Sequence, residues 1–284
     1  MANKKLKAPV NIPVEKIRPF EGHPYKVLDN DEMNNLIESI QEQGVLSPIL
    51  IRPIENTDEY EVVSGHRRLH AAIKAGMKDV PAFIYAVTRD EAAIMLVDSN
   101  LHREHILPSE KAFAYKLKLD ALKHQGKTSA QVGQKWSVEQ VAEESSDSRS
   151  QIQRYIRLTY LIPELLDLVD EEKIALTPAV ELSYLTDEEQ YSLLGTIEEE
   201  DRTPSLSQAV RFKKLSQAGK LSDNDIETIM QEDKANQKPM FKVSMERLQK
   251  VAPKVKDKDF EDFVLKACEH YYRYLQRQRN RDAR

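Results

Sequence analysis

The 284-residue chain contains a single cysteine, Cys268, so neither an internal disulfide nor a cysteine-rich zinc site can form within it. No apolar run reaches the roughly 18 residues that indicate a membrane-spanning helix. The first residues are basic and polar and lead into no apolar signal core. These absences predict a cytoplasmic protein without a membrane partner or thiol chemistry.

An excess of basic charge is also missing, because 42 Lys and Arg stand against 47 Asp and Glu. A globally basic surface, which many nucleic-acid-binding proteins use, is therefore excluded, and any DNA binding needs a local basic face. The length allows two or three small domains with hydrophobic cores. With 40% hydrophobic and 31% charged residues, the composition favours a soluble, largely helical protein.

The first hundred residues alternate between strand and helix patterns, which predicts an α+β domain. Gly44 and Gly76 stand where left-handed caps would end two helices. Thr88 and Glu91 have the spacing of a capping box that begins a further helix. The predicted elements are an extended segment at 12–17, helices at 31–43 and 66–75, and strands at 45–51, 60–63 and 80–86.

The remaining sequence carries almost only helix signals, chiefly repeats of the S/T-x-x-E/Q start signature. A polar segment at 232–239 ends in proline and predicts a linker. We therefore expect domains at 1–107, 108–231 and 232–284, the second all-α and the third small and mainly helical. The start signatures are Ser137 with Gln140, Ser148 with Gln151, Thr186 with Glu189, and Ser205 with Gln208.

A helix-turn-helix is predicted at about 137–159, with the turn at 145–147 and the second helix from 149 to about 159. The second helix has an apolar face and an outward face of polar and basic side chains, which can reach guanine and adenine edges in the major groove. The alternative interpretation of this pattern is a helical hairpin with an ordinary charged surface and no role in DNA binding. The predicted DNA-binding residues are Ser148, Arg149, Ser150, Gln151, Gln153 and Arg154.

The string Ser64–Arg68 lies between a strand and a helix and reads Ser-Gly-His-Arg-Arg. Glycine permits close backbone approach, a helix start offers free N–H groups, and two arginines supply bidentate donors, all of which suit a phosphate. Taken alone, the string also fits a glycine turn followed by solvated arginines.

Three separated strings occur in the order found in the ParB partition proteins. Gln43–Arg52 resembles the first nucleotide-binding motif of that family, Ser64–Arg68 resembles its GERR box, and Asn100–Ala112 resembles its ENxQRxxLxPxEEA box. Together with the helix-turn-helix, the resemblance extends over about 12–185. It implies a ParB/sulfiredoxin-like fold for the N-terminal domain.

The resemblance further implies a pocket for CTP with a magnesium ion. Gly65, Arg67 and Arg68 would hold phosphates, while Gly44 and Pro48 would shape the base side. The other nucleotide-binding positions that it implies are Ser64, His66, Ser99, Asn100 and Arg103, with Asn100 as the magnesium ligand.

The chain departs from the family pattern in both regions. His66 replaces the acidic residue of the GERR box, and Ser99 replaces the glutamate before Asn100, with Asp98 one position earlier. Magnesium prefers carboxylate oxygens, so these changes favour nucleotide binding over hydrolysis, and whether CTP is hydrolysed stays open. Ser146 stands at the usual turn glycine, which predicts an uncommon backbone angle there or at a neighbour.

The segment 175–180 replaces a GHAR-like string whose histidine and arginine contact DNA, so we expect a DNA site other than the usual centromere. Towards the C-terminus, apolar residues recur at three- and four-residue steps and predict an amphipathic helix that forms a homodimer. Packing against Phe241, Val243 and Leu248 of the same chain is the alternative. The apolar stripe comprises Phe260, Phe263, Val264, Ala267, Cys268, Tyr271 and Leu275.

The leading hypothesis is a sequence-specific, nucleoid- or plasmid-associated ParB-like protein. It would act on double-stranded DNA as a CTP-gated dimeric clamp in plasmid, mobile-element or chromosome segregation. A ParA-type ATPase would be its partner, a role that the basic residues Lys4, Lys5 and Lys7 favour. One alternative is a local transcription regulator with the same architecture and no nucleotide turnover; another is a small-molecule kinase with the same N-terminal fold. Sulfiredoxin chemistry is excluded because the 64–68 string has no cysteine.

Overall fold

The computed structural model describes residues 8–101, 103, 105–124, 132–232, 249–252, 255 and 260–282. Contacts divide the chain into two compact units, Met1–Glu232 and Asp233–Arg284. The first unit begins with α+β structure and continues as helices, as the sequence predicts. In the described ranges, no helix is both long and apolar enough to cross a membrane.

A five-stranded mixed sheet forms the N-terminal part, in the order β1-β5-β3-β4-β2. The pairs β1–β5 and β3–β4 are antiparallel, whereas β3–β5 and β2–β4 are parallel. Apolar side chains of the sheet pack with those of the first two helices. The strands are β1 Val10–Pro13, β2 Ile17–Arg18, β3 Ile49–Pro53, β4 Tyr60–Ser64 and β5 Asp79–Ile84.

The predicted strand at 45–51 is wrong at its start, because β3 begins only at Ile49. Pro48 has no N–H for a ladder, and Gly44, at φ +71°, directs the chain out of the preceding helix. The predicted extended segment at 12–17 is likewise two short strands separated by a 3₁₀ turn, Val14–Lys16. Propensity indicated extended structure in both places but not the hydrogen-bond partners that define a strand.

Twelve helices are described. Capping boxes begin α3, α9 and α10 as predicted. The predicted start at Ser137 is wrong, since α5 already begins at Val132. The helices are α1 Asp31–Gln43, α2 His66–Lys74, α3 Arg89–Asp98, α4 Pro108–His124, α5 Val132–Glu143, α6 Arg149–Arg157, α7 Pro163–Asp170, α8 Leu176–Leu182, α9 Asp187–Glu200, α10 Leu206–Gln217, α11 Asp223–Gln231 and α12 Phe260–Asp282.

Helix α4 contributes to three apolar cores of the first unit. Ala114 and Ala121 pack with α3, Tyr115 and Leu119 pack with α5 and α6, and Ala112 joins the core of α7 to α11. A displacement of α4 would therefore disturb the packing of all three cores, because packed interiors transmit strain.

Helix α12 is the described part of the C-terminal apolar stripe. Tyr271 and Leu275 are exposed, and so is Cys268, which therefore does not pack as a buried hydrophobe. The alternative partners Phe241, Val243 and Leu248 lie outside the described residues, as do Lys4, Lys5 and Lys7. The dimer stays a prediction.

Candidate functional site

A cavity of about 210 Å³ lies where the N-terminus of α2 meets the end of α3 and the loop before α1. Segments that are far apart in sequence form its wall. The lining residues are His23, Tyr25, Lys26, Val27, Ser64, Gly65, His66, Arg67, Arg68, Ser99, Asn100 and Arg103.

Gly65 caps α2 with φ +101° and ψ 27°, a left-handed conformation that side chains disfavour. A Cβ at this position would lie 2.8 Å from Ile49 Cγ2 and 3.1 Å from the terminal nitrogen Nη2 of Arg68. Only glycine therefore fits without strain. Gly65 and the first residues of α2 line the cavity, and the N–H groups of a helix start suit a phosphate.

Arginine side chains supply the positive charge of the cavity. Arg68 Nη1 donates to the carbonyl oxygens of Ser47 at 2.6 Å and Pro48 at 2.9 Å. Arg67 forms an exposed ion pair with Glu32. The guanidinium of Arg103 stacks 5.5 Å from the Tyr25 ring. Helix-start amides and guanidinium groups together suit the phosphates of a nucleotide.

His66 stands at the first position of α2, and its ring lies 3.6 Å from the ring of His23, centroid to centroid. Burial, together with the charges of His23 and Arg103, lowers the pKa of His66 to about 3. Burial also lowers the pKa of His23, and Arg103 adds to the effect. Both imidazoles are thus neutral near pH 7. His66 Nε2 is buried and has no hydrogen-bond partner among the residues that the structure describes.

Eight of the ten residues that the family resemblance implied line this cavity, and two do not. Gly44 and Pro48 stand apart from the lining, although Pro48 is tied to it through Arg68. Four further lining residues carry no sequence signal, because they belong to an irregular loop with no motif. These are His23, Tyr25, Lys26 and Val27.

The donors near Asn100 do not form a magnesium site of the usual kind. Ser99 Oγ donates to the carbonyl oxygen of Leu96 at 2.9 Å, and Asn100 Nδ2 donates to the same oxygen at 2.7 Å. The Asp98 carboxylate is ion-paired with Lys118 and so does not replace the missing glutamate. Among the described residues, no three His, Cys, Asp or Glu side chains are grouped for a metal. The residues present therefore fit a nucleotide but offer magnesium no charged ligand.

The helix-turn-helix consists of α5 and α6, packed on α4 around Val141 and Ile152. Asp147 holds the turn, because its carboxylate accepts hydrogen bonds from Tyr115 Oη at 2.6 Å and Lys111 Nζ at 3.0 Å. The uncommon backbone angle predicted for Ser146 or a neighbour is wrong, since no positive φ occurs at 144–148. The side-chain anchor stabilises this turn without glycine.

Ser148 caps the N-terminus of α6, and its hydroxyl accepts from the Gln151 amide as predicted. Ile152 is buried, and the opposite face is exposed or half-exposed. Arg154 Nη2 donates to Thr177 Oγ1 at 2.5 Å, so this side chain joins α6 to α8. The predicted DNA-binding side chains that are exposed are Ser148, Arg149, Ser150 and Gln153, and Gln151 and Arg154 are half-exposed.

Next to the exposed face of α6 lies a ladder of cations and tyrosines, which no sequence motif indicated. The guanidinium of Arg157 lies 4.3 Å from the Tyr160 ring and 3.9 Å from the Tyr184 ring, and Lys213 Nζ lies 3.8 Å from Tyr184. Lys116 Nζ is 5.7 Å from Tyr160. Arg157 follows Gln153 and Arg154 at steps of four and three, which places it on the same helix face. We name this set the cation–tyrosine ladder.

Ion pairs connect the cavity wall to the helices. Lys26 Nζ contacts Asp167 at 2.9 Å and Asp170 at 3.0 Å. The Asp170 carboxylate also accepts from the Ser109 amide at 2.9 Å, at the start of α4. Fully buried Lys118 pairs with Asp98 beside the cavity and with Glu144 at the turn of the helix-turn-helix.

The chain matches the family model described as ParB N-terminal domain over residues 2–101 and that described as ParB HTH domain over residues 108–209. It is 33% identical over 213 residues to the chromosome-partitioning protein Spo0J of Thermus thermophilus, covering 75% of this chain and 73% of that protein. It is 32% identical over 191 residues to the nucleoid occlusion protein of Listeria innocua, covering 67% and 63%.

Two crystal structures of the C-terminally truncated chromosome-partitioning protein ParB from Caulobacter crescentus also match. The structure complexed to the centromeric parS site has 22% identity and a TM-score of 0.40, and covers 78% of this chain and 98% of that one. The structure complexed with CTP-gamma-S has 26% identity and a TM-score of 0.32, and covers 67% and 99%.

Proposed function

The chain belongs to the ParB family, and we propose that it is a DNA-binding partition protein whose hold on DNA is controlled by a nucleotide in the cavity. One observation carries the proposal. Lys26, in the cavity wall, is ion-paired with Asp170 of α7. The Asp170 carboxylate also accepts a hydrogen bond from the Ser109 amide in the first turn of α4, on which the helix-turn-helix is packed. A ligand that moves the wall therefore acts on the DNA-binding helices.

The nucleotide we propose is CTP, which the family motifs support. The α2 amides with Arg67 and Arg68 would bind its phosphates, and Arg103 would close over it from the Tyr25 side. Gly44 and Pro48 would reach the base only indirectly, through the loop that Arg68 holds.

The DNA interface we propose is the exposed face of α6, where Gln153 and Ser150 can address base edges and Arg149 a guanine or a phosphate. Arg149 Nη1 is bound to Glu139 of α5 at 2.6 Å, which fixes its direction. A random-duplex selection tests the site. Recovery of the usual family palindrome would refute the expectation of a different sequence.

In this proposal, two chains join through α12, and CTP closes the N-terminal domains around DNA. The domain boundaries remain 1–107, 108–231 and 232–284. Plasmid, mobile-element or chromosome segregation is the setting, with a ParA-type ATPase as the partner.

The deciding experiment measures binding of radiolabelled CTP, GTP and ATP to the full chain, with and without a pool of duplex DNA. We expect CTP to bind selectively and DNA to enhance its retention. Arg103→Ala should lose binding. Arg89→Ala is the matched control, because Arg89 pairs with Glu21 and is not a lining residue. Equal binding of all three nucleotides, or no effect of DNA, would contradict the proposal.

A local transcription regulator without nucleotide turnover is the second candidate. Ser99 and the engagement of Asp98 by Lys118 favour it, since neither supplies the carboxylate that hydrolysis would use. Release of inorganic phosphate from CTP with DNA present distinguishes the two. Measurable turnover would remove this candidate.

A further inference from the structure

The cavity wall is unusual in its charge. It contains Lys26, Arg67, Arg68 and Arg103, and among the described lining residues there is no aspartate or glutamate. Lys26 and Arg67 already have carboxylate partners outside the lining, whereas none of the described ion pairs involves Arg68 or Arg103. Guanidinium groups are permanently charged and bind phosphate oxygens bidentately, so they can neutralise the phosphates themselves.

The carboxylates next to the cavity are already engaged. Asp98 is ion-paired with buried Lys118, and Glu110 accepts hydrogen bonds from the amides of Lys26 at 2.8 Å and Leu107 at 3.1 Å. Recruiting Asp98 to a metal ion would leave Lys118 with fewer compensating charges in a buried position, which is unfavourable. Magnesium is bound in proteins through one or two carboxylates and the substrate phosphates, and among the described lining residues there is no carboxylate to serve it.

His66 supplies a donor where the related GERR box has an acid. Its Nε2 is buried and has no partner in the described part of the chain, so in the tautomer that carries the proton on Nε2 this atom gains from an acceptor that reaches it. The charged and titratable lining groups with it are His23, Tyr25, Lys26, Arg67, Arg68 and Arg103. An imidazole N–H suits a phosphate oxygen, whereas a carboxylate at this position would repel one.

We propose that this cavity binds the phosphates of its nucleotide without a divalent cation, with the arginines neutralising them and His66 Nε2 donating one further hydrogen bond. The inference rests on the proposed function, because it presupposes that a nucleotide binds. It differs from the magnesium site that the family motifs implied for Asn100. Residue 99 decides between metal-free phosphate binding and the magnesium site, because the related motif has a carboxylate there and this chain has Ser99.

The test is isothermal titration of the full chain with CTP, once in millimolar magnesium and once in excess EDTA, with duplex DNA present in both. We expect the two dissociation constants to agree within about threefold. A loss of tenfold or more in EDTA would overturn the inference and leave nucleotide binding intact. No binding in either buffer would refute the proposed function itself.

Variants of His66 test whether its N–H donor contributes to nucleotide binding when no metal ion is present. His66→Leu should weaken binding in EDTA at least fivefold, and His66→Gln, which keeps an N–H donor, should recover part of that loss. His70→Gln is the matched control on the same helix, since His70 pairs with Asp29 at 2.7 Å and is not a lining residue. Equal affinities for the Leu and Gln variants would refute the role of His66.

Ser99→Glu restores the acidic residue of the related motif. We expect binding by this variant to become magnesium-dependent, with a dissociation constant at least tenfold lower in magnesium than in EDTA. If Ser99→Glu remains indifferent to magnesium, the missing carboxylate is not the cause of metal-independent binding, and the inference fails.

Discussion

Replacement of Gly65 by alanine should destabilise the fold more than the same change at another glycine of positive φ. The new Cβ would lie 2.8 Å from Ile49 Cγ2 and 3.2 Å from Ile49 Cβ, well inside the roughly 3.5–4.0 Å of a favourable carbon contact. Ile49 is fully buried and cannot retreat. The left-handed backbone costs an alanine about 1–2 kcal/mol, and overpacking adds about 1–3 kcal/mol.

Gly76→Ala is the matched control, because Gly76 has φ +75° and its Cβ would meet nothing within 4 Å. Both variants place an alanine at positive φ and share the smaller entropy of the unfolded chain, so their difference reports the contacts of the new Cβ with Ile49 and Arg68. We expect Gly65→Ala to lower the free energy of unfolding by about 1–3 kcal/mol more than Gly76→Ala. Urea unfolding of the full chain, followed by circular dichroism, measures this.

A difference below about 0.5 kcal/mol would refute the close approach of β3 to the start of α2. A second check is a double-mutant cycle with Ile49→Ala, which removes Cγ2, the closer of the two Ile49 atoms. The Ile49 truncation should then cost less in the Gly65→Ala background than in the unmodified chain. Additive costs would also contradict the geometry.

Three further predictions concern other parts of the first unit. Lys118→Met should lower the free energy of unfolding in urea by about 1 kcal/mol or less, because methionine fills the same space and the partner carboxylates are half-exposed. Lys118→Ala should lower it by about 2–5 kcal/mol, because alanine leaves a cavity. The pKa of His66 is about 3 in the folded chain, below its ordinary 6.5, so its contribution to stability is present above pH 6.5 and is lost as the pH falls towards 3. Between pH 6.5 and 5.5 the unmodified chain should lose about 1 kcal/mol more than His66→Gln. Lys213→Gln, in the cation–tyrosine ladder, should reduce the slope of log affinity against log salt by about 0.9 if Lys213 contacts a DNA phosphate, while exposed Lys220→Gln leaves it unchanged.

Each of these has a contradicting outcome. Equal costs for the two Lys118 variants would mean that the charge, not the volume, matters at that position. Parallel pH profiles for the His66 variant and the unmodified chain would show that the imidazole is not shielded. An unchanged salt slope for Lys213→Gln would remove the ladder from the DNA interface.

Local signals in the sequence determined much of this protein. The caps of four helices were predictable, because a cap depends on residues only three positions apart. They are the Ser148 cap of α6 and the capping boxes of α3, α9 and α10. The glycine turn at Gly65 and the helix start at His66 were predictable for the same reason, since both are local features. The family resemblance added Ser99, Asn100 and Arg103, which line the same cavity.

Only the tertiary structure decided which groups face one another across the chain. No pattern in the sequence places His23 against His66, or joins Lys26 to Asp170, because these contacts depend on how an irregular loop packs. The true start of β3 and the ordinary backbone of Ser146 were also decided at this level, by a missing proline N–H and by the Asp147 anchor. Asp98 shows the limit most clearly: its sequence neighbour is Ser99 of the cavity, but its charge is bound to buried Lys118 on another helix.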